Sequence, residues 1–173
     1  EMRTSSGISY VKKRLGCIKA PEDQRDFLFR STRRLYPPQS VDYTSEMTPV
    51  EDQGSEGSCV GFACGAMKEW QKKRDWNRAI DLSSRFIYEQ ARKIDNFPET
   101  SDGTDIRSAM KVLHKDGVCT EQCWPYVPRQ PGAPCGEAEA EASEYKISTF
   151  TAIQGIHDMK TALVNNGPFV VGV

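Results

Sequence analysis

The sequence predicts an α+β fold, and three observations lead there. Apolar residues recur at helical spacing in three segments between Ser58 and Gly117. Extended, alternating stretches follow later, in YKISTFTAI and PFVVGV. There are no internal repeats, and helical segments that precede extended ones point to segregated helix and sheet layers. A chain of 173 residues can bury a core as one domain or as two small lobes.

The first 36 residues are polar and highly charged, with KKR at Lys12 to Arg14 and RSTRR at Arg30 to Arg34, and only short apolar runs. They read as an extension or propeptide remnant that wraps a surface, distinct from a main domain over residues 37–173. Pro37 and Pro38 break the chain, and VDYTSEMTPVEDQG leads in turns to the first long helix. From Ser58 onward Ala63, Ala66, Met67 and Trp70 mark an inner face, while Lys68, Gln71, Lys72 and Lys73 are expected outside. Gly61, Cys64 and Gly65 make one face thin, so another element should pack closely on the first turns. Asp81 and Ser83 are the candidate caps of a second helix presenting Phe86, Ile87, Tyr88 and Ala91. Asp105 opens a third, whose stripe is Ile106, Ala109, Met110 and Leu113 and whose end is Gly117. A Pro- and Gly-rich loop, an acidic run expected to be a solvated face (Glu137 to Glu144), a strand-like segment, a short amphipathic helix and a starting strand complete the chain.

With 23 basic and 24 acidic side chains the net charge is -1, so no polyanion, and hence no nucleic acid, is expected as a partner. No run approaches the ~20 apolar residues of a membrane span, so no membrane partner is expected either. The opening EMRTSSGISYVKK lacks the apolar middle of a secretory signal. Two settings stay open, intracellular or with a signal already removed, the extracytoplasmic one being preferred.

The segment DQGSEGSCVGFACGAMKEW carries the candidate chemistry. Cys59 falls in the first turn of a helix, where unpaired backbone N–H groups favour thiolate over thiol and so a better nucleophile. The small-residue turn before it leaves room for a substrate carbonyl. Gln53, six residues upstream, offers an amide N–H that can join the Cys59 backbone N–H in stabilising an oxyanion. A buried, inert thiol is the alternative for any single cysteine.

These residues resemble the papain family of cysteine proteases. PPQSVDYTSEMTPVEDQGSEGSCVGFA is similar to the family's mature N-terminus, with the Gln53-to-Cys59 spacing ungapped; DLSSRFIYEQAR, SDGT, GVCTEQCWPY and NNGPFVVGV follow in family order. The resemblance implies a papain-like two-lobe fold, here the helical lobe plus the beginning of the β-barrel-like lobe. It implies peptide-bond hydrolysis through an acyl-thioenzyme at Cys59, with Gln53 in the oxyanion hole, no metal or organic cofactor, and a peptide or protein substrate. Gly57, Ser58, Asp102, Gly103 and Thr104 are the implied substrate-binding residues, Gly103 through its backbone and Thr104 at the edge of the main specificity pocket.

Three departures stand out. Glu56 replaces a cysteine the family usually pairs in a disulfide, Val60 replaces an aromatic, and Asp102 replaces the first glycine of the substrate loop, narrowing or charging that edge. The family's base, a histidine oriented by an asparagine, lies about 130–150 residues past the nucleophile, which is beyond Val173. The expectation is therefore a His and Asn supplied from beyond residue 173, on a continuation of the chain or on a second polypeptide segment. His114 is expected to serve the end of the third helix and His157 to lie on the surface. The contrasting reading is a catalytically inactive papain-like fold that binds a peptide or protein.

With Cys59 free, the five other cysteines cannot all pair within the chain. Cys64 reads as core. Cys119, Cys123 and Cys135 have poor zinc spacing, and a disulfide between two of them, or three free thiols, are the remaining choices.

Overall fold

The computed structural model describes residues 2–3, 9–10, 14–31 and 38–172. Lys12, Lys13, Arg33, Arg34 and the Pro37 break lie outside the described residues. In chain order the elements are β1 (Met2–Arg3), β2 (Ser9–Tyr10), a 3-10 turn (Thr44–Glu46), α1 (Cys59–Trp76), α2 (Ser84–Arg92), α3 (Ile106–Lys115), α4 (Ala138–Ser143) and α5 (Gly155–Asn166). The strands form one short antiparallel pair with Met2 opposite Tyr10. None of the described helices is long and apolar enough to cross a membrane.

Helices α1, α2 and α3 pack on one another around Cys64, Leu82, Ile87, Ala91, Ala109 and Leu113, all essentially sealed from solvent. Their starts follow from local chemistry. The Ser83 hydroxyl accepts the Phe86 N–H at 3.0 Å, and the Asp105 carboxylate accepts the Ser108 N–H at 2.9 Å, each satisfying a backbone donor that the first turn leaves unpaired. Helix α3 ends where Gly117 takes φ 89°, with its N–H on the Val112 carbonyl at 2.9 Å. The predicted faces of α2 and α3 are the buried ones, Ile106 being only partly so.

The inner face of α1 is the predicted one only in part: Trp70 is buried as expected and Ala66 and Met67 are half-buried, but the rest of the face is displaced. Ala63 is exposed, whereas Cys64, Gly65, Lys68, Glu69 and Trp70 are buried, and so is Lys72. The small residues decide this: a Cβ on Gly61 would lie 2.6 Å from the Ser84 carbonyl oxygen, so α2 sits directly on the Gly61–Gly65 side. Two lysines are carried inward with that face and find partners there. Lys68 Nζ donates to the Lys146 carbonyl at 2.7 Å, and Lys72 Nζ lies 3.3 Å from the centre of the Trp76 ring. Burial, reinforced by Lys72, lowers the Lys68 ammonium to about 8. WQKKRDW is thus half internal, with Trp70 donating its Nε1–H to Glu46 and Trp76 largely exposed.

The later segments are less regular than predicted. YKISTFTAI forms no strand: Ile147 bonds the Leu113 carbonyl, and Ala152 bridges Leu28. PFVVGV has no ladder partner among the described residues, and a strand exists only as paired backbone. The acidic run includes the short helix α4, which seats Ala138 and Ala142 in the core with Glu137 and Glu139 in solvent.

Cys123 and Cys135 form a disulfide across the proline-rich loop, while Cys17, Cys59, Cys64 and Cys119 are free. Cys64 is the core residue expected. Closing a loop this short stabilises a fold by roughly 2–3 kcal/mol in the chain-entropy account. Reduction with dithiothreitol should therefore lower the melting temperature by several degrees, and Cys123→Ser with Cys135→Ser should reproduce the shift without reductant.

Candidate active site

Cys59 is the first residue of α1, and Ser58 is its N-cap. The Ser58 side chain does not cap the helix. It is buried and shares a 2.6 Å hydrogen bond with the Tyr126 hydroxyl, pinning the residue before Cys59 to the proline-rich loop.

The turn leading to Cys59 is organised by Glu56. Its carboxylate receives Arg85 Nη1 and Nη2 at 2.8 and 2.7 Å, the Arg129 N–H at 2.9 Å and the Tyr126 hydroxyl at 3.0 Å. The Arg85 side chain is wholly buried, stacks over the Tyr126 ring at 4.4 Å and also reaches Glu89. Burial pushes the Glu56 carboxyl up, but Arg85, the Arg129 N–H and Tyr126 outweigh it and hold the group below its ordinary value. A buried, doubly bonded ion pair thus stands where the resembled family has a disulfide partner. Gln53 is tied into the same turn, its Nε2 donating to the Glu56 carbonyl at 2.8 Å and its own carbonyl accepting from Tyr126 at 2.8 Å.

Asp102 closes the opposite edge. Oδ1 accepts the Gly57 N–H at 2.8 Å and the Tyr88 hydroxyl at 3.4 Å; Oδ2 meets Arg14 at 2.6 Å and Arg129 at 3.1 Å. Burial raises this carboxyl, and the Gly57 N–H, Arg14 and Arg129 more than reverse the effect. Gly57 is buried between the two carboxylates.

A peptide segment already lies between these edges. Residues Arg14 to Ile18 run through the gap as a strap, parallel to the chain at Thr104. The Thr104 N–H donates to the Gly16 carbonyl at 2.9 Å, and the Ile18 N–H donates to the Thr104 carbonyl at 3.0 Å. The Gly16 N–H points at Cys59 Sγ, 3.3 Å away, and Gln53 Nε2 also donates to the Arg14 carbonyl at 2.8 Å. Contact is backbone to backbone: a Cβ on Gly16 would fall 1.7 Å from the Gly57 carbonyl oxygen, and one on Gly103 2.2 Å from that of Gly16. The residue that pairs with the strap is Thr104, one past Gly103. With the strap in place the Thr104 side chain is fully buried.

The strap continues over α3, where Arg107 pairs with Asp26 and its Nη1 donates to the Pro21 carbonyl at 2.6 Å. Neither histidine is placed to take a proton from Cys59. The His114 ring, in the last turn of α3, bonds the Ile147 carbonyl at 3.1 Å and stacks edge-on to Phe150, so it ties α3 to the following segment and does not serve the helix end. His157 is exposed on α5.

Sequence reasoning brought Gln53, Gly57, Cys59, Asp102, Gly103 and Thr104 into one neighbourhood, and there they are. It missed Arg85, Tyr126 and Arg129, and it did not anticipate that the N-terminal segment enters the cleft. An arginine next to Phe86 and Ile87, on the face of a helix that the apolar residues mark as inner, was the available signal for Arg85.

Residues 37–173 match the family model for the papain family cysteine proteases, and the chain belongs to that family. It is 28% identical to an uncharacterized peptidase C1-like protein of Acanthamoeba polyphaga mimivirus, over 95% of this chain and 62% of that protein. Human cathepsin L2 is 27% identical over 67% of this chain and 35% of its own length. Among solved structures, xylellain, a cysteine protease from Xylella fastidiosa, superposes with a TM-score of 0.72 at 28% identity, covering 92% of this chain and 66% of that one. Digestive procathepsin L 3 of Tenebrio molitor, at 21% identity and a TM-score of 0.68 over 91% of this chain and 49% of that one, shares the fold. The chain thus spans less than two thirds of these relatives, and its mostly helical content matches the helical lobe of the papain fold.

Removing one member of a buried ion pair costs about 3–5 kcal/mol, so Arg85→Ala should lower stability by that order in denaturant unfolding. The Glu56 contribution has a definite pH sign. A carboxyl lowered by folding stabilises fully above its unfolded value of about 4.3 and loses that contribution as pH falls through the lower folded value. Glu56→Gln should accordingly flatten the acid limb of the stability curve.

Proposed function

We propose that the chain is the nucleophile-bearing part of a cysteine peptidase. Cys59 attacks a peptide carbonyl, the Gln53 amide and the Cys59 N–H stabilise the tetrahedral oxyanion, and an acyl-thioenzyme forms. A base takes the Cys59 thiol proton and hands it to the departing amine as the C–N bond breaks; it then takes a proton from the water that displaces the Cys59 sulfur and returns it to the thiolate. The placement of His114 and His157 supports a base from outside these 173 residues, an imidazole oriented by an asparagine.

The observation that carries this reading is the strap. An extended peptide lies along the substrate loop with its backbone exchanging hydrogen bonds with Thr104, its N–H on Cys59 Sγ and one of its carbonyls on the Gln53 amide. A cleft that receives a peptide beside a free thiol and an amide donor is the arrangement peptide hydrolysis needs. The strap brings the Gly16 N–H to Cys59 Sγ and the Arg14 carbonyl to the Gln53 amide, so it occupies the cleft beside the thiol. The strap and its continuation, residues 14–31, then act as a built-in plug of the domain that follows.

In the full-length protein, Cys59→Ala should abolish hydrolysis of fluorogenic peptides; undiminished hydrolysis would remove Cys59 from the role. A binding module would instead retain peptide affinity and show no hydrolysis in either form. Gly16→Val puts atoms into the Gly57 carbonyl and should lift the strap. Alkylation of Cys59 by iodoacetamide, followed by peptide mapping, should then speed up several-fold, and an unchanged rate would argue against the plug.

A further inference from the structure

Asp102 brings a charged side chain to the part of the cleft where Gly57 and Gly103 otherwise present bare backbone. One of its oxygens is committed to fixed groups, the Gly57 N–H and the Tyr88 hydroxyl. The other faces the peptide that fills the cleft. There the strap supplies an arginine: the Arg14 guanidinium meets Oδ2 at 2.6 Å while the carbonyl of the same residue accepts the Gln53 amide at 2.8 Å. One residue of a bound peptide therefore satisfies the oxyanion donor with its carbonyl and Asp102 with its side chain.

We propose that Asp102 selects substrates with arginine or lysine at the residue whose carbonyl is attacked. The inference rests on the reading of Cys59 and Gln53 as nucleophile and oxyanion donor. Charge balance supports it. Without the strap, Asp102 keeps a single ion-pair partner, the half-exposed Arg129 at 3.1 Å, and its Oδ2 charge is left facing the cleft. Arg14 neutralises that charge now, and a basic substrate side chain would do so in its place. Arg129 does not fill the role alone, because its Nη2 is shared with the Ser55 carbonyl at 2.6 Å and its side chain is half exposed. A neutral substrate side chain would cover the carboxylate without pairing it, a desolvation cost that a cation avoids.

The test uses full-length protein and fluorogenic peptides that differ only at that residue, Arg, Lys, Gln or Leu, with kcat/KM as readout. Both members of any pair compete with the same strap, so the Arg-to-Gln ratio is independent of how tightly the strap binds. The parent protein should favour Arg and Lys, and Asp102→Asn should lower the ratio by roughly ten- to a hundredfold. Arg129→Gln, at a half-exposed position, should raise it by removing a competing cation, and it decides the question if Asp102→Asn does not fold. A ratio near one in the parent, or one that neither variant moves, overturns the inference while leaving the peptidase reading intact. If the parent hydrolyses none of the peptides and a peptidyl chloromethyl ketone fails to label Cys59, the peptidase reading falls and the inference falls with it.

Discussion

The Glu56 carboxylate, buried and ligated from four directions, is the constraint on which the rest of the site depends. The turn from Gln53 to Ser58 contains two glycines and two serines and has little to hold its own shape. By gathering Arg85 from α2 and both Arg129 and Tyr126 from the proline-rich loop, Glu56 fixes that turn against two elements that are themselves rigid. Gln53 and Ser58, on either side, inherit the fixation through Tyr126. Cys59 inherits it through the helix that starts there. The tie is ionic where the resemblance to the family implies a covalent one, so it is indifferent to thiol reductants and depends on protonation.

Arg85 illustrates the cost of this solution. A guanidinium sealed from solvent is favourable only when its carboxylate partner is present and well aligned. Its Nε is unpartnered in the buried space, so the pairing is asymmetric, concentrated on the two terminal nitrogens. The disulfide between Cys123 and Cys135 closes the loop that carries Tyr126 and Arg129, the donors to Glu56, and it limits how far they can drift from it.

Much of this was legible in the chain. Ser83 and Asp105 announce their helices because a short polar side chain before an apolar stripe has one good use, and Gly117 marks its helix end for the same kind of reason. The nucleophile neighbourhood was legible because Gln53 and Cys59 are near in sequence. What stayed hidden depends on pairing across long separations. The face of α1 was assigned by residue type, which puts lysines outside; the close seat of α2 on Gly61 and Gly65 rotates Lys68 and Lys72 inward, and long aliphatic stems tolerate it. YKISTFTAI has the alternation of a strand, but alternation gives a face and does not supply a partner. Arg14 on Asp102 joins residues 88 positions apart, beyond the reach of any local pattern.

The strap is tethered a few dozen residues from the turn it occupies. A tethered ligand is present at an effective concentration of roughly millimolar order for a short flexible connection, whatever the concentration of the protein. Dilution therefore cannot empty this cleft. Any second peptide must either outcompete a neighbour that never diffuses away or arrive after the Asp26–Arg107 clasp has let the segment go. Occupancy becomes a property of the polypeptide's connectivity, and cutting that connection once would turn a permanent resident into a dilute peptide.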